Sequence, residues 1–155
     1  MTDHIEKALA AKGIDLPTPA APVASYVPAV EMNGLLHISG QVSMLDGQLI
    51  TGRLGDNMTL EEGQEAAKAC GLMIAAQIKK ATGSLDRVNR IVKLGVFVNS
   101  TADYTDHPKV ANGCSDIMEV IFGAAGLHAR SAVGVASLPL GVAVEVDAIV
   151  ALKPE

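Results

Sequence analysis

The sequence predicts a single α+β domain in which two helices pack on one face of a mixed β-sheet. The chain has 155 residues, of which 49% are hydrophobic, and this is enough for one sizeable core. Several segments place apolar residues at every second position, as β-strands do, and two segments place them at helical spacing. The predicted order of these elements is β-β-β-α-β-α-β-β, without internal repeats or domain linkers.

A short helix and a proline-rich arm are predicted for residues 1–24, ahead of a main domain at residues 25–155. Ile5, Ala8 and Leu9 lie on one side of the helix, which ends at Gly13. The three prolines that follow favour an extended chain. We expect this segment to be an accessory surface element.

The first hairpin is predicted from Asn33-Gly34, a strong signal for a two-residue turn, between strands at Ser25–Glu31 and Leu35–Ser43. Pairing across this turn places four polar side chains on one face of the hairpin: Tyr26, His37, Ser39 and Gln41. That face is either a solvated sheet surface or the lining of a ligand site.

The first long helix has clear signals at both ends. Thr59 with Glu62 three residues later is typical of a capping box, and the helix runs to about Ala81, before Gly83. Its apolar stripe of methionine, alanine and isoleucine is interpreted as core. Two glycines inside it either weaken the helix slightly or permit close packing on a sheet: Gly63 and Gly71.

A buried strand at Val88–Val98 and a second helix at Pro108–Phe122 come next. Proline favours the first turn of a helix, and Gly123 favours its end. We expect this helix to face the sheet through four apolar residues: Ile117, Met118, Val120 and Ile121.

A C-terminal hairpin is predicted from two alternating runs, Ser131–Ala136 and Ala143–Leu152, joined by the turn-forming Leu138–Gly141. In this hairpin one face is apolar: Val133, Val135, Val144, Val146, Ala148 and Val150. The other face carries small residues and charges: Arg130, Ala132, Gly134, Ala136, Ala143, Glu145 and Asp147. Arg130 and Glu145 would then share a face, about 13 Å apart along the strands. The small residues predict close packing against another backbone, most simply a second copy of the chain.

Composition limits the partners and cofactors. A net charge of −5, with two Tyr, two Phe and no Trp, disfavours nucleic acid as a ligand. The sequence contains no run of about 18 apolar residues, so no membrane span is predicted. The N-terminus lacks a secretion-signal pattern, so a cytoplasmic location is expected, with Cys70 and Cys114 reduced and buried. No metal-ligand spacing or cofactor motif is present, and a small molecule or another protein is the expected partner.

Two charged residues are the leading candidates for chemistry. The guanidinium of Arg130 can fork onto a carboxylate, and the carboxylate of Glu145 can orient or deprotonate a water. Tyr26 can donate a hydrogen bond to a developing charge, and Gly40 lets the backbone touch a ligand. The alternatives are structural: a salt bridge for Arg130, an exposed strand position for Glu145 and an interface anchor for Tyr26.

These residues also form a pattern that resembles the RidA/YjgF family. The pattern comprises Arg130, Leu138-Pro139, Glu145 within VEVDAI, Tyr26, Ser39-Gly40-Gln41 and Val96-Phe97-Val98. The resemblance covers about Ser25 to Leu152. It implies a chorismate-mutase-like fold and a homotrimer with a cleft at each of three subunit seams. It further implies an enamine/imine deaminase that hydrolyses 2-imino acids to 2-keto acids and ammonia, without a cofactor.

The resemblance also assigns roles to residues. Arg130, Glu145 and Tyr26 would be catalytic, with Arg130 binding the carboxylate of the imino or keto acid and Tyr26 coming from the neighbouring subunit. Five residues would contact the substrate: Ser39, Gly40, Gln41, Ser131 and Ala132.

Two departures from the family pattern keep other functions open. Ala132 occupies a position that is often Cys in the deaminating members, and the family's helix Asn has no clear counterpart among Asn112, Ser115 and Asp116. A non-catalytic protein that binds a small carboxylate in the same cleft is therefore the alternative hypothesis. Endoribonuclease activity, a label given to some members, is disfavoured by the charge and the few aromatic residues.

Overall fold

The computed structural model describes residues 3–22 and 24–155. Three helices and seven strands make up the regular structure of these residues. The helices are α1 (His4–Ala11), α2 (Leu60–Thr82) and α3 (His107–Phe122). The strands are β1 (Ala29–Met32), β2 (Leu35–Val42), β3 (Met44–Leu45), β4 (Gln48–Leu49), β5 (Val88–Asn99), β6 (Ala129–Val135) and β7 (Val144–Leu152).

The main sheet is mixed and has the strand order β1-β2-β7-β5-β6. All neighbours are antiparallel except β5 and β6, which are parallel. Helices α2 and α3 pack together on one face, which we call the inner face, and the opposite face is the outer face. The predicted α+β class with a mixed sheet is confirmed. Among the described residues, no helix combines the length and the hydrophobicity needed to cross a bilayer.

The ends of α2 agree with the prediction from capping. The hydroxyl of Thr59 accepts a hydrogen bond from the backbone N–H of Glu62 at 3.2 Å, and Gly83 ends the helix in the left-handed conformation. Gly63 and Gly71 permit close packing, but against Val110 and Ile117 of α3 and the Leu54 side chain rather than against the sheet.

Helix α3 buries three of the four residues that were expected to face the sheet. Ile117, Met118 and Ile121 lie in the core, whereas Val120 is 44% exposed. The prediction for Val120 was wrong because it lies one residue outside the buried stripe of a 3.6-residue repeat.

The predicted C-terminal hairpin is wrong, because β5 lies between β6 and β7. Strand β6 pairs in parallel with β5 alone, and α3 forms the crossover between them. Residues 136–143 carry the chain past the end of β5, where the N–H of Asn99 donates to the carbonyl of Ala143. Alternation shows which side chains of a strand share a face, but it does not show which strand lies beside it.

This topology places Arg130 and Glu145 on opposite faces of the sheet. Arg130 pairs with Leu94 on the inner face, together with Ala132 and Gly134, whereas Glu145 pairs with Phe97 on the outer face. Arg130 pairs with Leu94 of β5, which pairs with Ala148 of β7, and Ala148 lies three residues from Glu145 along β7. Crossing two strands and moving three residues along the second one puts the backbone positions of Arg130 and Glu145 about 14 Å apart. The predicted shared face of small residues and charges therefore does not exist, and Val133 and Val135 lie on the outer face, away from the core valines of β7.

The first hairpin has the predicted register, with Val30 opposite His37. A bulge between Ile38 and Gln41 then shifts the pairing with β7 and turns the Gln41 side chain into the buried inner face. Tyr26 lies in a bend before β1. The predicted common polar face of Tyr26, His37, Ser39 and Gln41 is therefore divided.

Helix α1 packs on the body of the domain. Leu9 belongs to the hydrophobic core, and the carboxylate of Asp86 accepts the backbone N–H groups of His4 and Ile5 at 2.8 and 3.0 Å. Partial burial favours a higher pKa for Asp86, but these two hydrogen bonds and the His4 imidazole outweigh it and lower the pKa of the carboxyl. The division of the chain at residue 24 stays a prediction.

Candidate functional site

Glu145 lies in a cleft at the bulge of β2. The cleft has about 560 Å³ of free space, part of it open to solvent, and its walls come from the proline arm, β2, the β6–β7 connection and β7. It is lined by Ala20, Ala21, Pro22, Tyr26, Pro28, Gly40, Gln41, Val42, Pro139, Leu140 and Glu145. The tertiary structure thus brings four of the predicted site residues together: Tyr26, Gly40, Gln41 and Glu145.

The Glu145 carboxyl lies directly over Gly40. A methyl group added at Gly40 would stand 2.9 Å from Cδ of Glu145 and closer still to Oε1. Carbon atoms in contact are normally 3.5–4.0 Å apart, so only glycine leaves room for the carboxyl in this position. The glycine in the Ser39-Gly40-Gln41 motif therefore positions Glu145.

The pKa of the half-buried Glu145 carboxyl is raised. Burial is the larger cause, and the nearby Asp147 carboxylate adds to it. No ion pair among the described residues neutralises Glu145. A carboxyl with a raised pKa in a cleft is suited to act as a general base and a general acid in turn.

Ser39 and Gln41 support the walls of this cleft. The Ser39 hydroxyl donates to the carbonyl of Val27, and Gln41 Nε2 donates to the carbonyl of Ser39 at 2.8 Å. Gln77 of α2, which the sequence did not reveal, donates to Oε1 of Gln41 at 3.2 Å and to the carbonyl of Ala20 at 2.9 Å. It thereby joins β2 to the proline arm.

Arg130 lies at the opposite edge of the sheet and points towards α3. Its Nη1 donates to Asn112 Oδ1 at 2.9 Å and to Ser115 Oγ at 3.0 Å, and its Nη2 donates to the Pro108 carbonyl at 3.3 Å. Three residues were candidates for the counterpart of the family's helix Asn. Two of them, Asn112 and Ser115, hold the guanidinium together. Asp116 makes no hydrogen bond to it.

His128 extends this network. Its Nδ1 is 2.6 Å from the Gly126 carbonyl, and its Nε2 is 2.9 Å from the Ser115 hydroxyl. A carbonyl only accepts, so Nδ1 carries a proton, and in the neutral imidazole Nε2 accepts from Ser115, which in turn accepts from Arg130. Sequence reasoning missed His128 because its partner lies 13 residues earlier, on α3.

Ser131 and Ala132 lie apart from the cleft. Ser131 pairs with Gly95 on the outer face, and Ala132 packs against the core on the inner face. Within one chain, these predicted site residues therefore lie in separate places: the Glu145 cleft, and Arg130 with its partners on α3.

The two cysteines are free and buried, as interpreted from the sequence. Burial raises the pKa of the Cys70 thiol, and it raises that of Cys114 to about 12. Both thiols are therefore protonated and weakly nucleophilic at neutral pH.

Comparisons with known proteins agree with the resemblance in the sequence. Residues 6–151 match the family model described as "YjgF/chorismate_mutase-like, putative endoribonuclease". Protein TCP17 of Trypanosoma cruzi is 53% identical over 143 residues, which cover 91% of this chain and 89% of that protein. The 2-iminobutanoate/2-iminopropanoate deaminase of Mus musculus is 35% identical over 138 residues, which cover 88% of this chain and 87% of that protein.

A solved structure, described as a "putative endoribonuclease" from Shewanella oneidensis, superposes with a TM-score of 0.92 at 35% identity. The match covers 96% of this chain and 99% of that one, so the N-terminal helix and arm fall largely within it. The fold, the motifs and these matches lead to one conclusion: the chain belongs to the YjgF/chorismate mutase-like family.

Proposed function

We propose that this protein is an enamine/imine deaminase that hydrolyses reactive 2-imino acids to 2-keto acids and ammonia. The observation that carries the proposal is the half-buried Glu145 carboxyl, which is held over Gly40 in a cleft beside Tyr26 and has a raised pKa. A relative named as a 2-imino acid deaminase is 35% identical to the chain, which supports the substrate class.

The reaction requires only water and proton transfer. Glu145 accepts a proton from a water as the water oxygen attacks the carbon of the C=N bond, and it returns this proton to the nitrogen to give a carbinolamine. Glu145 then accepts the proton of the new hydroxyl and passes it to the amine nitrogen as the C–N bond breaks, so that ammonia leaves and the hydroxyl becomes the keto group. An imine is already electrophilic, so positioning supplies much of the rate enhancement.

Arg130 binds the substrate carboxylate in this proposal. A guanidinium has five N–H donors, and the contacts with Asn112, Ser115 and Pro108 use three of them. The N–H of Nε and one N–H of Nη2 have no acceptor among the described residues. Two such donors can bind the two oxygens of a carboxylate side by side.

A complete site requires two copies of the chain, because Arg130 and Glu145 are about 14 Å apart on opposite faces of the sheet. We propose a homotrimer in which Arg130 of one copy meets the Glu145 cleft of the next. The outer face of the sheet supports such an assembly, because its edges expose Val30 and Val133 at 49% and 47%.

A non-catalytic carboxylate-binding protein is the second candidate. Ala132, at a position that is often Cys in deaminating members, favours it. In this case Arg130 would hold a small carboxylate at the seam, and Glu145 would not activate water.

The test is hydrolysis of 2-imino acids generated in situ by an amino-acid oxidase, with semicarbazide competing for the imine. Wild type should suppress semicarbazone formation, Glu145→Gln should not, and Asp147→Asn should retain activity as the matched carboxylate control. Suppression that survives Glu145→Gln would refute the mechanism. Absence of suppression by wild type, together with Arg130-dependent binding of pyruvate, would favour the binding protein.

Subunit mixing tests the shared site. Arg130→Ala and Glu145→Gln proteins, each inactive, are unfolded together and refolded as mixed oligomers. About a quarter of the seams would then pair an intact Arg130 with an intact Glu145, if copies assort at random. Recovered activity would support a site shared between copies, and no recovery in well-folded mixed oligomers would contradict it.

A further inference from the structure

A second cleft lies where the parallel strands β5 and β6 end and α3 begins. It has about 550 Å³ of free space and is lined by Arg53, Ser100, Thr101, Ala102, Tyr104, His107, Gly134, Val135 and Ala136. In sheets with a helical crossover, ligands commonly bind at the carboxyl ends of the parallel strands. This cleft shares no lining residue with the Glu145 cleft, and it is separate from the contacts of Arg130.

Arg53 supplies a positive charge to this cleft from an anchored stretch of backbone. The backbone beside it is anchored, because Leu54 N donates to the Asn99 carbonyl at 2.9 Å and Thr101 N donates to the Leu54 carbonyl at 3.0 Å. No side-chain hydrogen bond or ion pair among the described residues involves the guanidinium, and its Nε is buried without an acceptor. Such a donor is costly unless a ligand or water accepts from it.

Tyr104 supplies a second donor without a partner. Its hydroxyl is buried and makes no hydrogen bond, while its ring packs edge-on against His107 with centroids 5.7 Å apart. Burial, and then the charges of Asp106 and Glu61, raise the pKa of Tyr104, so the phenol keeps its proton.

Ser100 and His107 form the floor of the cleft. The Ser100 hydroxyl and His107 Nε2 are 3.1 Å apart. A methyl group at Gly134 would stand 2.6 Å from Ser100 Oγ and closer still to His107 Nε2, so the glycine makes room for this pair.

Two acidic groups next to the cleft have partners of their own. Asp103 accepts from the Thr101 hydroxyl at 2.8 Å, and Asp106 lies 3.5 Å from Lys109 Nζ. No ion pair among the described residues joins the Arg53 guanidinium to a carboxylate.

We propose that this cleft is a second ligand site, which binds a small oxyanion group of a phosphate or a carboxylate. The guanidinium of Arg53 and the hydroxyl of Tyr104 donate to the oxygens, and the Ser100–His107 pair borders the bound group.

The experiment titrates the Arg130→Gln protein, which lacks the carboxylate-binding guanidinium of the first site, with inorganic phosphate in one arm and acetate in the other, at constant ionic strength set with sodium chloride. Calorimetry or NMR shifts report binding. We expect saturable binding of at least one of the two anions, weakened about tenfold or more by Arg53→Gln and by Tyr104→Phe. Lys7→Gln, which removes the same charge from exposed α1, should leave it unchanged when added to the same background.

The two arms identify the oxyanion: preference for phosphate indicates a phosphate ester, and preference for acetate indicates a carboxylate. Tyr104→Phe keeps the ring and removes a hydroxyl without a partner, so its melting temperature without ligand should match or exceed that of wild type. Absence of saturable binding in both arms would overturn the proposal. Binding that survives both Arg53→Gln and Tyr104→Phe in this background would do the same.

Discussion

The substitution Gly40→Ala should displace the Glu145 carboxyl while leaving the stability of the fold nearly unchanged. The new methyl group would stand 2.9 Å from Glu145 Cδ, whereas carbon atoms in contact lie 3.5–4.0 Å apart, so the carboxyl must retreat by about 1 Å. Displacing a catalytic group by about 1 Å costs on the order of 10²-fold in rate. The obstructing atoms are the end of a flexible side chain, so the melting temperature should change little.

Gly95→Ala is the matched control for this prediction. Gly95 lies on β5, the neighbour of β7 on the side away from β2, where Asp147 covers it as Glu145 covers Gly40, with Cγ of Asp147 3.2 Å from an added methyl group. Imine hydrolysis by both variants, measured beside their thermal unfolding, should show a loss of about 10²-fold for Gly40→Ala alone. If Gly40→Ala keeps the activity of wild type, or if Gly95→Ala loses as much activity as Gly40→Ala, the assignment of Glu145 as the reacting carboxylate is refuted.

Three further substitutions test other parts of the structure. Ser115→Ala removes one hydrogen bond from Arg130 and should raise KM for the imino acid about tenfold with a smaller effect on kcat; an unchanged KM would show that Ser115 does not position Arg130. Asp86→Ala removes the cap of α1 and should lower the free energy of unfolding by about 1 kcal/mol at pH 7. Because folding lowers the pKa of Asp86, this difference in the free energy of unfolding should be present at pH values above the pKa of the unfolded state. It should disappear as the pH falls through the pKa of the folded state. A difference that urea unfolding shows to be independent of pH would contradict this prediction. Ile74→Ala leaves a cavity at a fully buried position of α2 and should cost about 3 kcal/mol in the same urea assay, and a cost below about 1 kcal/mol would show that the core collapses around it.

Local signals in the sequence determined most of the secondary structure. Thr59 and Gly83 set the ends of α2 because a hydroxyl cap and a left-handed glycine act within a few residues. The Asn33-Gly34 turn likewise set the register of the first hairpin, since a two-residue loop leaves little choice of pairing. The motifs around Gly40 and Glu145 were sufficient to indicate the family, which the family match confirms.

Strand neighbours and the membership of the site depend on long-range packing. The alternation in β6 and β7 described each strand correctly as a strand, but the crossover through α3 inserted β5 between them and moved Arg130 to the face opposite Glu145. The bulge beside Gly40 similarly reversed the side of Gln41, which a strict two-residue repeat placed with Tyr26. The sequence by itself thus determined the elements and the family, because capping, turns and periodicity are local. Only the tertiary structure decided which side chains meet, because pairing joins residues that are distant along the chain.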